Sequence, residues 1–207
     1  MALVVKHMVL GPIMTNCYIA YDGDIKEAVI IDPADSADII KRKITELGVK
    51  PVAILLTHGH FDHIGAALDI KAEYGIKIYA HEDEKDVLTS DANVASMMGM
   101  RLSVDADEYV RDRQTLLFGG VKYEVIHTPG HTKGGCCYYV ASDKVLFSGD
   151  TMFCQSYGRT DFPTGSYSEL INSITQKLLK LDDDVIVYPG HNEETKIGYE
   201  RSMYDTY

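Results

Sequence analysis

Short apolar runs, each closed by Gly, Pro or Asp, recur along the chain at Glu27–Asp32, Val52–Thr57, Lys77–His81, Val121–His127, Cys136–Ala141 and Val185–Pro189. Their β-branched content and length predict strands. Between several of them the apolar period becomes helical. In Ser36–Leu47 the residues Ile40, Ile44 and Leu47 share one face, Ser36 is placed to cap the start, and Gly48 to close the end. Ser166 and Glu169 have capping-box spacing ahead of Leu170, Ile174, Leu178 and Leu181, which predicts a second helix through that row. A third helix is expected from His63 to about Tyr74, before Gly75. With no long linker, repeat or low-complexity stretch, the alternation predicts one α/β domain over residues 1–207. The least regular part is Glu82–Asp112. Its Met97, Met98 and Met100 read as adaptable core, with a lid over a pocket as the less favoured alternative.

Composition changes this picture little: 45% hydrophobic and 25% charged residues are ordinary globular values. Charge changes it more, because a net charge of -11 repels a phosphate backbone and argues against nucleic-acid partners. No apolar run approaches the roughly 18 residues of a membrane span, and MALVVKHMVLG lacks an export-signal pattern, so a cytoplasmic protein with no membrane partner is expected. Cys17, Cys136, Cys137 and Cys154 are too scattered for a disulfide framework and read as reduced thiols. As neighbours on a strand, Cys136 and Cys137 must point to opposite faces.

The candidate chemistry is concentrated in Thr57-His58-Gly59-His60-Phe61-Asp62-His63, which sets four potential metal ligands within six residues directly after a strand. By chance this pattern would arise on the order of once in a thousand such chains. His58 and His60, two apart in extended chain, project to one side and can share an ion, while Asp62 and His63 turn into a helix and can serve a second. His131, Asp150 and His191 each stand beside Gly at the end of a strand, where loops collect reactive groups. Imidazole and carboxylate donors suit zinc, iron, manganese or nickel. His7, His81 and His127 are left outside the set, with His127 close enough in sequence to orient a ligand.

This constellation resembles the metallo-β-lactamase superfamily, and the resemblance runs from Gly11 to His191. It implies a four-layer αβ/βα sandwich with the metal site at the sheet edge. It also implies two divalent ions, most simply zinc: His58, His60 and His131 on the first, Asp62, His63 and His191 on the second, and Asp150 bridging. Two such ions make hydroxide available near neutral pH for attack on a polarised carbonyl, with Asp62 as a catalytic residue that can also hold the hydroxide in line.

Aspartate at 150 departs from true β-lactamases, which carry cysteine there, and argues against that activity. Gly11-Pro12, Thr15-Asn16-Cys17-Tyr18 and Gly158-Arg159-Thr160-Asp161-Phe162-Pro163 resemble short glyoxalase II-like thioester hydrolases. That resemblance implies a small thioester or ester substrate contacted by Arg159, and Tyr157 and Phe162 are expected to line the same pocket. Two other activities fit the same motifs: a persulfide dioxygenase with one iron on His58, His131 and Asp150, and a lactonase.

Overall fold

The computed structural model describes residues 2–204, and most of their strands fall into two six-stranded sheets. The first sheet is ordered β1 (Leu3–Leu10), β2 (Thr15–Asp22), β3 (Glu27–Ile31), β4 (Lys50–Leu55), β5 (Lys77–His81) and β6 (Glu108–Val110). The second contains β7 (Thr115–Phe118), β8 (Val121–His127), β9 (Cys136–Val140) and β10 (Val145–Gly149). A small hairpin, β11 (Met152–Phe153) with β12 (Ser156–Tyr157), follows, and β13 (Ile186–Pro189) and β14 (Thr195–Lys196) complete the second sheet beyond β10. Strands β3 to β6 are parallel to one another, as are β10 and β13, so their ends deliver loops to a common edge.

Three apolar layers hold the sandwich together. Tyr18, Val29 and Leu55 from one sheet meet Tyr123, Tyr138 and Phe147 from the other. Outside the first sheet, α1 (Ala37–Leu47) and α3 (Ala67–Tyr74) bury Ile40, Ile44 and Ile70 against Ile19, Ile30 and Ile54. Outside the second, α5 (Tyr167–Gln176) buries Leu170 and Ile174 against Ile126, Cys137 and Leu146. The remaining helices are α2 (Phe61–Ile64), α4 (Lys85–Thr89) and α6 (Ile197–Glu200). This is the expected αβ/βα sandwich. Cys136 faces the inter-sheet layer and Cys137 the helical one, as alternation requires.

Several elements depart from the sequence-based expectation. β1 and β2 were not foreseen, because Thr15, Asn16 and Asp22 break the apolar pattern of β2; all three are buried, Thr15 and Asn16 with hydrogen-bond partners across the site. Ser36 adopts a left-handed conformation and its hydroxyl bonds Asp35, so it does not cap α1, whereas Gly48 closes that helix as expected. The row from Ser166 to Leu181 bends at Lys177, leaving α5 and a separate 3-10 turn at Leu178–Lys180. Ser166 does accept from the Glu169 amide, but its own N–H goes to the Gly130 carbonyl, so only half of the capping box forms. The helix expected from His63 splits into α2 and α3 at Gly65, where a β-carbon would overlap the Ala34 carbonyl. Met97, Met98 and Met100 are exposed rather than core.

Candidate metal centre

All seven expected ligand residues converge where the loops leave β4, β8, β10 and β13. The loop after β4 carries His58 and His60, and His60 is the residue at which α2 begins, turning Asp62 and His63 inward. His58, His60 and His131 form one group of mutually close ligand atoms, and Asp62, His63 and His191 form another. Asp150 joins them: Oδ1 lies 3.3 Å from His63 Nε2, and Oδ2 lies 3.5 Å from both His131 Nε2 and His191 Nε2. His191 Nε2 is 3.3 Å from Asp62 Oδ2, and His131 Nε2 is 2.9 Å from His60 Nδ1.

Three of the imidazoles are held through Nδ1, leaving Nε2 for the centre, and in His58 the partner is the Thr57 hydroxyl at 3.1 Å. His131 Nδ1 donates to the Arg159 carbonyl at 2.7 Å, and His63 Nδ1 meets Asp32 Oδ2 at 2.9 Å. Each bond sets the ring's tautomer and leaves Nε2 as the inward donor atom. His58 Nε2, His63 Nε2 and Asp150 Oδ1 are buried with no hydrogen-bond partner among the described residues, although buried polar atoms are normally satisfied. Orphaned nitrogens and a carboxylate oxygen aimed at common points are the donor set of a divalent cation, so these residues fit the expected ions. Close approach requires Gly190, where a β-carbon would overlap Asp150 Oδ1.

Electrostatics divides the two groups. Burial, reinforced by neighbouring imidazoles, pushes His58 well below the usual histidine range and His60 down to about 3. Both are neutral at pH 7. Burial also opposes charge on His63, but Asp62 and Asp150 overcome it and hold that ring well above the usual value. Asp150, despite burial, is drawn down to about 2 by His63 and its neighbours. A cation entering the second group would replace the positive charge that a proton supplies there.

Three residues to which sequence reasoning assigned no role hold this arrangement. Asp32, buried at the end of β3, accepts from the Thr57 amide (2.8 Å) and the Thr57 hydroxyl (2.6 Å) besides facing His63. Thr15 donates its hydroxyl to Asp62 Oδ2 at 2.7 Å. Glu84 accepts from the Gly59 amide, the Thr132 hydroxyl and the Gly134 amide at 2.8, 2.9 and 2.8 Å, which ties the His58–His60 loop to the His131 loop. Full burial raises its carboxyl to about 7 against those bonds. Asp32 had a faint signal, an acid closing an apolar run before Pro33; Glu84, within Glu82-Asp83-Glu84-Lys85-Asp86, had none.

Removing the Glu84 carboxylate strands three buried donors. We expect Glu84→Ala to lose about 3 kcal/mol of stability, and Glu84→Gln less, because its carbonyl still accepts. Urea midpoints test this; an Ala variant as stable as wild type would show that the bridge contributes little.

A cavity of about 440 Å³ opens onto the centre, with Val94, Met97, Met98, Phe153 and Phe162 among its walls. Met97 and Met98 thus stand in the wall of a pocket rather than in the core that the sequence favoured. Arg159 also lines it, but its guanidinium is paired twice with Asp161 at 2.7 Å and lies 3.8 Å over the Phe162 ring. Phe162 packs edge-on against His60. Tyr157 is not at this cavity: it turns toward Tyr167 and Tyr204, and Phe153, edge-on to His191, is the aromatic residue of that hairpin that lines it. His127 stacks on His81 with ring centroids 4.0 Å apart and bonds the Lys133 carbonyl, away from both ligand groups.

The chain belongs to the metallo-β-lactamase superfamily, whose family model matches residues 10–191. Among curated proteins it is 39% identical over 193 residues to the hydroxyacylglutathione hydrolase GloC of Haemophilus influenzae, an alignment covering 90% of this chain and 89% of that one. Among solved structures it is similar to the BLEG-1 B3 metallo-β-lactamase, with 40% identity, a TM-score of 0.92 and coverage of 96% and 97%. It is also similar to TTHA1623 in a di-iron-bound form, with 30% identity, a TM-score of 0.87 and coverage of 97% and 98%. The family makes this a metal-dependent hydrolase. Among the described residues no helix is long and apolar enough to cross a membrane.

Proposed function

We propose that this chain is a binuclear-metal hydrolase of small cytoplasmic thioesters of the hydroxyacylglutathione type. The observation that carries the reading is the meeting of two ligand groups at one carboxylate, Asp150. In this reading His58, His60 and His131 would hold one ion, Asp62, His63 and His191 a second, and Asp150 both, with zinc the first choice and iron, manganese or nickel suited to the same donors. Bound there, two divalent ions supply a Lewis acid for a carbonyl oxygen and bring the pKa of a shared water toward neutrality.

The chain supplies orientation and exclusion of water. Against the effect of burial, His63 and His191 keep Asp62 ionised, and the Thr15 hydroxyl fixes its Oδ2. Asp62 is thus the side chain suited to accept a hydrogen bond from an attacking water and hold it in line. The apolar walls of the cavity shield the reacting carbonyl from bulk solvent, which strengthens every polar interaction inside. The similarity to a hydroxyacylglutathione hydrolase favours a thioester over other carbonyl substrates.

Metal-loaded protein should therefore turn over S-lactoylglutathione faster than a lactone or a β-lactam. Turnover of only one of the latter, or oxygen consumption with a persulfide, would overturn the thioester assignment. Phe162 and Arg159 remain the proposed substrate contacts from the sequence. Since two of Arg159's nitrogens already serve Asp161, we expect Arg159→Ala to raise KM for anionic thioesters only several-fold, about 1 kcal/mol or less, as exposed ion pairs do. A change in kcat at equal metal content would instead place Arg159 at the reacting atoms.

A further inference from the structure

A second cavity, of about 270 Å³, adjoins the first. Ile13, Phe61, Asp62 and Met98 line both, so the two are neighbours that share the proposed centre's own aspartate. The walls of the second are largely apolar, including Leu10, Pro12 and Met100, but it also has two opposite charges, Asp35 and Arg101. Arg111, Arg113, Arg159 and Arg201 each pair with a carboxylate. Arg101 pairs with none among the described residues, and Asp35 meets only the Ser36 hydroxyl. In a chain of net charge -11, a cation left uncommitted in a cavity beside the reaction site is well placed to draw in an anionic group.

We propose that this cavity is the subsite for the thiol arm of the substrate and that it recognises an α-amino-acid head, the carboxylate on Arg101 and the ammonium on Asp35. The assignment rests on the thioester reading above. With the acyl carbonyl at the metal centre, the arm would run past Asp62, lay its methylene and peptide groups along Ile13, Met98 and Met100, and end between the two charges. Arg101 offers a planar fork that matches a carboxylate, and Asp35 an acceptor for N–H donors. Two opposite charges that line one cavity without pairing to each other suit a dipolar head better than a singly charged one.

Binding of non-hydrolysable thioethers to the metal-loaded protein, measured by calorimetry, tests the proposal without turnover. The probes are S-hexylglutathione, its N-acetyl derivative and the hexyl thioether of N-acetylcysteamine. Arg101→Ala should weaken both glutathione probes on the order of tenfold to a hundredfold, the range of a charge-assisted contact. Asp35→Asn should weaken S-hexylglutathione but leave its N-acetyl derivative unchanged, and the neutral thioether should bind all three proteins alike, with metal content equal throughout. Equal affinities for S-hexylglutathione in wild type and both variants, or no binding of it by wild type, would overturn the subsite. Failure of the thioester reading looks different: the charge-dependent binding would persist while no thioester was hydrolysed.

Discussion

Asp150→Ala should release metal and lower thioester hydrolysis on the order of a thousandfold or more, an effect of about 4 kcal/mol on the transition state. The magnitude follows from position. Among the described residues Asp150 is the only carboxylate whose two oxygens face both groups, so in the proposed centre its loss would remove a ligand from each ion and the negative charge that would let two cations lie side by side. Gly190 passes so close that a β-carbon there would overlap Asp150 Oδ1, so the neighbouring loop is shaped around this carboxylate. Asp150→Asn keeps the shape without the charge and should retain more metal than Ala while remaining severely impaired. Metal analysis of both purified variants beside wild type checks the claim; full metal content and normal turnover in the Ala protein would remove Asp150 from the centre.

Asp32→Ala is the second large effect, and it acts from outside the ligand set. Its carboxylate, 2% exposed, holds the Thr57 amide, the Thr57 hydroxyl and His63 Nδ1. Deleting a buried charge that carries this many partners costs about 3–5 kcal/mol of stability. Freeing the His63 ring should also cost about ten- to a hundredfold in metal affinity, as the loss of a ligand-orienting partner does elsewhere. Asp32→Asn still accepts from the Thr57 amide and should fold, which separates the two consequences: its stability should recover more than its metal affinity. Unfolding midpoints and metal titrations of the two variants measure this, and an Asn variant with wild-type affinity would show that the Asp32 charge does not set the imidazole.

Sequence and structure agree best where residues repeat a physical pattern. Lys77–His81 is legible as a short apolar run closed by Gly75 and the acids after His81, and Val121–His127 by the alternation that buries Val121, Tyr123 and Val125 while Lys122 stays exposed. His58, His60, Asp62 and His63 are legible as a candidate site because four potential ligands in six residues have few other uses, and the geometry brings the distant His131, Asp150 and His191 to them. What escaped has tertiary causes. Thr15 and Asn16 look like breaks in a strand until the loops at Asp62 and His191 arrive to bond them. Glu84 reads as one more surface acid until the turns at Gly59 and Gly134 close over it. Tyr157 was expected at the pocket from its place beside Gly158-Arg159, but the hairpin register sends it toward α5 and Phe153 toward His191.

Calorimetric titration of the metal-stripped chain with zinc tests the binuclear centre most directly. Saturation at two equivalents per chain is expected, falling below two in Asp150→Ala. Saturation at one equivalent in wild type would contradict a shared two-ion site and with it the proposed hydrolysis.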